Sequence, residues 1–316
     1  MKSSKMYRSP ITVQQVKETF RNGRVADIRL PECNFTPQPY SGLPLEKLKK
    51  IRKTRLNPAL TTHYSTPLAL SQGYKQWLFD IDGRRYLDMF AGVCTVSVGH
   101  AHPKITEAVS KQISTLGHVS NIYLHTKLHE YAERLTDKFP GDLKVVYFVN
   151  SGSEANELAV LLARIFTNNY EVISLRNGYH GTGNLTMNVS AQSDSKYRIL
   201  QAIRTHHVIN PDVYKGLWGG SKCRDSPVQA NRMCSCRGSE CEAKDNYVKQ
   251  FEELFDYSLP KKGAAAFIAE PIQGVGGIVQ YPKGYLKEVV DVVRKHGGLF
   301  ISDEVREFFF HVYSNN

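Results

Sequence analysis

The sequence lacks any run of 18 or more apolar residues, although hydrophobic residues make up 41% of its 316 positions. A helix that crosses a bilayer needs about 20 mostly apolar residues, so we predict no membrane partner. Charged residues account for 22%, and together these fractions are typical of a soluble globular protein. The length is sufficient for one large α/β domain or two smaller ones.

Acidic residues are absent from residues 1–16, and the first 55 residues hold 13 Lys+Arg against four acids. A basic, serine-containing, acid-poor leader resembles a mitochondrial transit peptide, so residues 1–33 are predicted to be a leader and the matrix its destination. A solvated basic arm is an alternative. An arm that binds nucleic acid is a third, but no aromatic interleaving accompanies the charge, so we predict no nucleic-acid partner.

Cysteine is scarce, and no CxxC pair or secretory signal accompanies the six that are present, so they are expected to be reduced. Cys33 and Cys94 are isolated. The other four fall within 19 residues: Cys223, Cys234, Cys236 and Cys241. Four thiols can hold one zinc ion, but this spacing is not that of a zinc knuckle. We therefore predict a polar surface excursion and no metal, with a zinc module as the alternative.

A β-hairpin is predicted for residues 73–91. Its first arm alternates apolar and polar side chains, and Asp82-Gly83 supplies the tight turn between the arms. From Pro103 onward, apolar residues recur at helical spacing and predict a helix; they are Ile105, Val109, Ile113 and Leu116.

The second half of the chain alternates short apolar runs with amphipathic stretches. They predict, in order, strand 144–150, helix 154–168, strand 171–175, strand 264–270, helix 284–296 and strand 299–303. This alternation is typical of an α/β domain with a mostly parallel sheet and helices on both faces. Residues 190–262 are less regular, mostly polar and cysteine-bearing, and are predicted to be an insertion over the rim of the site.

Polar residues end three of the predicted strands: Asn150, Glu270 and Asp303. In open parallel sheets, ligands bind in the crevice at the carboxyl ends of the strands. These three side chains are therefore expected to converge.

The turn at residues 150–156, Asn-Ser-Gly-Ser-Glu-Ala-Asn, lies between a predicted strand and a predicted helix. Such a turn exposes backbone N–H groups and the positive end of the helix dipole, which favours binding of a phosphate or another anion. Gly152 allows close approach of a ligand, and Ser153 adds a hydroxyl donor. By itself, the motif is equally consistent with an ordinary serine N-cap.

Two later segments suit a planar, charged ligand. In Gly178-Tyr179-His180-Gly181 an aromatic ring follows a predicted strand and can stack on a planar cofactor, or else pack within a loop. In Ser302-Asp303-Glu304-Val305 the acid can hold a pyridinium nitrogen protonated, which makes the ring a better electron sink. A helix-capping role is the alternative for this acid and for Glu270.

Together and in this order, the motifs resemble the class III (ω-amino acid) aminotransferases of fold type I, which use pyridoxal 5′-phosphate (PLP). The likeness runs from about Asn34 to Val305 and includes Gly99-His100-Ala101-His102-Pro103. The stretch from Gly219 to Gln229 separates one subfamily from other class III enzymes. The resemblance implies the large domain of that fold, part of the small domain from the N-terminal segment, and no C-terminal small domain.

The resemblance also implies a set of cofactor contacts. The residues concerned are Gly152, Ser153, Tyr179, His180, Glu270, Asp303 and Val305. Gly152 and Ser153 would bind the phosphate. Tyr179 would stack on the pyridine ring with His180 beside it, and Glu270 would order the site. The aspartate would pair with the ring nitrogen, and the valine would cover the other face of the ring.

For substrates, the resemblance implies a small amino acid and a 2-oxo acid, with alanine or a similar amine as donor and glyoxylate or another 2-oxo acid as acceptor. Cys94 and Thr95 fall where the substrate-lining loop of the family lies. Ornithine-type relatives place a carboxylate soon after Pro-Ile-Gln-Gly, where this chain has Val275, which argues against an ornithine-like substrate.

The match ends after Val305, and Arg306 stands where the family has a glutamine. The Schiff-base lysine of relatives would lie beyond the end of this sequence, so no catalytic residue is assigned and the chain is predicted to be inactive. The resemblance implies homo-oligomers for the family, but a homo-oligomer is not predicted for this chain. The predicted divisions are an N-terminal segment 34–104, a PLP-binding domain 105–305 and an unmatched tail 306–316. The alternatives are a non-catalytic partner of the full-length enzyme and another class III ω-aminotransferase.

Overall fold

The computed structural model describes residues 31–58, 60, 64–196, 204–223, 230–237 and 240–305. The predicted leader, up to residue 30, and the tail from Arg306 lie outside the described residues. The chain divides at His118 into two compact units. The divisions predicted from the sequence remain predictions.

The first unit is built around a three-stranded antiparallel sheet in the order β1-β2-β3. Its elements are α1 (Leu45–Arg55), β1 (Leu70–Tyr74), β2 (Trp77–Asp80), β3 (Arg85–Leu87), α2 (Ala91–Cys94) and α3 (Pro103–Thr115). The predicted hairpin is confirmed as β2 and β3. Asp80 stabilises its turn, because Oδ1 accepts the backbone N–H groups of Asp82 and Arg84, both at 2.9 Å. The predicted helix from Pro103 is also confirmed.

The second unit contains a four-stranded parallel sheet, a two-stranded antiparallel ribbon and five α-helices among its described residues. The helices are α4 (Thr126–Thr136), α5 (Gly152–Thr167), α6 (Thr186–Val189), α7 (Glu242–Tyr257) and α8 (Tyr285–Lys295). The strands are β4 (Val172–Leu175), β5 (Thr205–Val208), β6 (Ala266–Ala269), β7 (Ile272–Gln273), β8 (Val279–Gln280) and β9 (Leu299–Ser302). The predicted α/β class with a parallel sheet is confirmed.

The parallel sheet has the order β5-β4-β6-β9. From β4 the chain first adds β5 on one side and then crosses back to add β6 and β9 on the other. The strand order therefore reverses between β4 and β6, and such a reversal opens a crevice at the carboxyl ends of the two strands.

Alternate side chains of the sheet belong to two different hydrophobic cores. Ile173 and Phe267 pack with α7 and α8, whereas Val172 and Ile268 pack with Val160 of α5 and with α6. Because successive strand residues point to opposite faces, these two clusters lie on opposite sides of the sheet. Helices therefore cover both faces, as the strand–helix alternation predicted.

The strand predicted at residues 144–150 is wrong. The segment has no strand structure, and Val145 and Tyr147 are 81% and 63% exposed. Its β-branched and aromatic composition favours a strand, but a strand forms only with a hydrogen-bonded neighbour. Among the described residues, β5 pairs only with β4 and β9 only with β6, so no strand is paired with this segment.

The irregular stretch 190–262 contains two elements that belong to the core, β5 and α7, which the sequence analysis did not predict. Three of the four residues of β5, Thr205-His206-His207-Val208, are polar, so the segment lacks the apolar pattern that predicts a strand. In the same stretch Cys223 and Cys241 are only 3% and 8% exposed and belong to the hydrophobic core. The prediction of a polar surface excursion is therefore wrong for these two cysteines.

A chain of three polar side chains joins β4 to β5. Ser174 Oγ donates to the carbonyl of Val189 at 2.8 Å and lies 2.8 Å from His207 Nδ1. The single hydroxyl hydrogen is thereby used, so Nδ1–H of the imidazole is the donor to Ser174. His207 Nε2 then accepts from Lys196 Nζ at 3.0 Å. Burial, reinforced by the nearby lysine, lowers the pKa of His207 to about 4.

We predict that the protein loses stability as the pH falls from about 6.5 towards 4, since in this window the unfolded chain binds a proton at His207 that the folded chain does not. Allowing for part exposure, the loss due to His207 is roughly 2 kcal/mol. The His207→Gln variant should show a flatter profile in urea denaturation between pH 4.5 and 6.5. The control is His129→Gln on the surface of α4. An unchanged slope in His207→Gln would contradict the assignment.

Candidate cofactor site

The reversal of strand order between β4 and β6 brings two loops together at the carboxyl ends of the strands. The backbone N–H of Tyr179, four residues after β4, donates to Glu270 Oε1 at 3.1 Å. Glu270 follows β6 directly, and its Oε2 accepts the N–H of Gly274 at 2.8 Å. Burial raises the pKa of the Glu270 carboxyl, and the two N–H groups partly offset that rise. Glu270 thus ties the loop after β4 to the loop after β6.

The amino end of α5 has the features of an anion site. Ser151 is the N-cap residue, and its Oγ accepts the N–H of Glu154 at 3.1 Å. The Glu154 carboxylate reaches back to the N–H of Asn150 at 2.7 Å. With these groups fixed, the N–H groups of Gly152 and Ser153 stand in the first turn, where a helix has no internal acceptors for them. The positive end of the helix dipole adds to their attraction for an anion.

The loop after β4 packs closely on this helix end. A β-carbon added at Gly181 would overlap Ser153 Oγ, and its φ of +111° is one that side chains rarely adopt. Gly152 is close to Val305, since an added β-carbon would lie 2.7 Å from Val305 Cγ2. The absence of side chains at these two glycines lets the loop after β4 contact Ser153 and lets Val305 approach the first turn of α5.

A buried carboxylate lies at the carboxyl end of β9. Asp303 is 5% exposed, and its Oδ2 lies 2.8 Å from His180 Nδ1 and accepts Asn156 Nδ2–H at 2.8 Å. The same Asn156 amide donates to the backbone carbonyl of His180 at 3.1 Å. A buried carboxylate is retained only when hydrogen bonds or a charge partner offset its desolvation. The contacts with Asn156 and His180 therefore offset part of the cost of burying this carboxyl group.

The structure brings together all seven residues predicted to bind the cofactor, by the contacts described above; they are Gly152, Ser153, Tyr179, His180, Glu270, Asp303 and Val305. Their roles in binding stay predictions. Asn150 does not join them: it is exposed, and its amide bonds to Glu154 at 3.0 Å. It was expected at a strand end, and that strand does not form.

Cys94 and Thr95 belong to the first unit, and their role as substrate-lining residues stays a prediction. Cys94 ends α2, a single turn in which four successive residues, from Ala91 to Cys94, have positive φ. Such conformations are strained for residues other than glycine.

The sequence analysis placed Asn156 at the end of the turn 150–156 but did not include it among the residues predicted to bind the cofactor. Its spacing was the available signal, because it stands three residues after Ser153 and so shares a helix face with it.

No group of three or more His, Cys, Asp or Glu side chains in the described ranges is placed to hold a metal ion. All six cysteines are free thiols, and burial raises the pKa of Cys223 to about 11. The geometry thus gives no support to the zinc alternative. Nor is any helix of the described residues both long and apolar enough to cross a membrane.

We predict that Gly181→Ala lowers the unfolding free energy by more than the strain of a positive φ alone would. Gly297 is the matched control, since its φ is +79° but nothing lies within 4 Å of an added β-carbon. Gly297→Ala should cost about 1 kcal/mol of unfolding free energy, and Gly181→Ala roughly 1–3 kcal/mol more, through overlap with Ser153. Urea denaturation of both variants measures the loss of unfolding free energy. Equal losses in the two variants would show that Gly181 and Ser153 are not tightly packed.

Comparison with known proteins points to one family. The profile of the family described as Aminotransferase class-III matches residues 60–307. Alanine–glyoxylate aminotransferase 2, mitochondrial, from Homo sapiens is 47% identical over 281 residues, which are 89% of this chain and 54% of that protein. Alanine–glyoxylate aminotransferase 2 homolog 2, mitochondrial, from Arabidopsis thaliana is 39% identical over 298 residues, 94% of this chain and 57% of that protein.

Solved structures give the same result. An (S)-enantioselective ω-transaminase from Thermomicrobium roseum superposes with a TM-score of 0.67 at 29% identity, covering 81% of this chain and 56% of that one. An amine transaminase from an uncultivated Pseudomonas species, in its PLP-bound form, gives 0.66 at 28% identity, covering 80% and 56%. This chain spans about half the length of the relatives that it matches. It belongs to the class III aminotransferases, a family of PLP-dependent transaminases.

Proposed function

We propose that the crevice between α5, the loop after β4 and the ends of β6 and β9 binds PLP. The observation that carries the proposal is the buried Asp303 carboxylate with its partners Asn156 and His180. A buried carboxylate held by neutral donors is suited to a cationic ring nitrogen. When bound, PLP would supply an electron sink that stabilises negative charge on the α-carbon of an amino acid.

The other end of the crevice suits the phosphate. Gly152 and Ser153 offer N–H groups at the positive end of α5, and Ser153 adds its hydroxyl. The close packing of Gly181 on Ser153 holds that residue in place. In the proposal, Tyr179 stacks on one face of the ring, Val305 covers the other face, and Glu270 fixes the loop that carries the tyrosine.

We further propose that the whole protein transfers an amino group from alanine or a similar donor to glyoxylate or another 2-oxo acid. The relatives named alanine–glyoxylate aminotransferase 2 support this, at up to 47% identity. A mitochondrial location is proposed on the same ground, because these relatives are named as mitochondrial. The property proposed for the residues of this crevice is docking of the cofactor through its phosphate and its ring.

Equilibrium dialysis against PLP tests the proposal. The chain should bind PLP, and Asp303→Asn should weaken binding by roughly 10–100-fold, because it removes the charge that faces the ring nitrogen. The control is Asp291→Asn on the exposed side of α8, which removes one negative charge elsewhere. Pyridoxal without its phosphate should bind more weakly than PLP. If the unmodified chain does not bind PLP, or if the two Asn variants behave alike, the proposed function is wrong.

A further inference from the structure

The two oxygens of the Asp303 carboxylate are not equivalent. Oδ2 contacts both side chains of the cluster, Asn156 Nδ2 and His180 Nδ1, each at 2.8 Å. Oδ1 has one hydrogen bond from the part of the chain that the structure describes, a long one of 3.3 Å from the backbone N–H of Val305. An ionised carboxylate oxygen accepts about two hydrogen bonds. Oδ2 is therefore satisfied, and Oδ1 has capacity for a further donor.

The contacts of His180 define its charge. An ionised carboxylate can only accept, so with Asp303 ionised the 2.8 Å contact requires a hydrogen on Nδ1 of His180, while Nε2 is buried and has no partner among the described residues. In an imidazolium, Nε2 would carry a buried N–H without an acceptor, which is costly. The imidazolium would also neutralise Asp303. The neutral form with its hydrogen at Nδ1 avoids both, so His180 orients the carboxylate and leaves its negative charge in place.

Asn156 also holds the Asp303 carboxylate without cancelling its charge. Its Nδ2 amide bridges Asp303 Oδ2 and the backbone carbonyl of His180, with both contacts supplied from α5. A side-chain amide is neutral at every pH of interest, so it fixes the carboxylate without cancelling its charge. One amide thus links the carboxyl end of β9 to the loop after β4.

We propose that Asn156 and His180 are positioning residues that hold Asp303 through Oδ2 and so reserve Oδ1 for a protonated ring nitrogen. This inference rests on the proposed function, because it concerns the same crevice. Beyond that function, it assigns the contact with the ring nitrogen to Oδ1 and explains why the carboxylate keeps its charge. It also gives Asn156 a role.

The test compares two ligands, PLP and its deaza analogue, in which C–H replaces the ring nitrogen. The unmodified chain should prefer PLP. In Asn156→Ala that preference should fall by roughly tenfold, since a misdirected carboxylate loses the ring contact while the phosphate contacts remain. Asn156→Asp keeps the size of the side chain but replaces the N–H donor with an oxygen that repels Oδ2, so Asp303 is again misdirected and the preference should fall as well. Val160→Ala, a buried change one turn further along α5, should keep it.

Ring ¹⁵N chemical shifts of His180 in the ligand-free chain give a second readout. The expected pattern is a protonated Nδ1 and an unprotonated Nε2 at neutral pH. An imidazolium pattern overturns the inference, and so does an equal weakening of both ligands in Asn156→Ala, which would show that the residue acts only in packing. If the unmodified chain binds neither ligand, the proposed function fails, and the ¹⁵N pattern still decides the charge of His180 separately.

Discussion

The candidate site depends on one constraint: a carboxylate buried at the carboxyl end of β9 must stay charged without a cation of the protein beside it. In the arrangement proposed above, Asn156 and a neutral His180 meet that constraint at Oδ2. Removing one partner of a buried charge leaves it uncompensated, which is far more costly than losing a surface contact. The positions of α5, β9 and the loop after β4 are therefore linked, because each supplies one member of the same hydrogen-bonded cluster.

The strand order makes this cluster possible. Asn156 and Asp303 are 147 residues apart in sequence, and His180 and Asp303 are 123 apart. Parallel strands align their carboxyl ends at one edge, so β4, β6 and β9 deliver their following loops to the same place. At the reversal between β4 and β6, Glu270 links the two following loops by accepting the backbone N–H groups of Tyr179 and Gly274.

The sequence predicted those parts of the fold that depend on local pattern. The helices at residues 154–168 and 284–296 have helical periodicity. The buried strands β4 and β6 and the half-buried strand β9 have short apolar runs, so all five elements could be predicted from the local pattern. Residues 144–150 have the composition of a strand but no paired neighbour, and β5 has a neighbour but a polar composition. The pairing of strands depends on the whole fold. Composition therefore predicted a strand at residues 144–150 that does not form and missed β5, which does. Asn156 was missed as a site member for a related reason, since its partners come from distant segments.

The electrostatics of the crevice reveal more about the ligand than any single residue does. One end presents unpaired N–H groups and the positive pole of α5, which select an anion. The other end presents the buried Asp303 carboxylate, held by Asn156 and His180, which in the proposed charge state selects a cation or a strong donor. A ligand that satisfies both ends must be anionic at one end and carry a protonated nitrogen at the other. A phosphorylated pyridine, the ligand proposed above, meets this requirement.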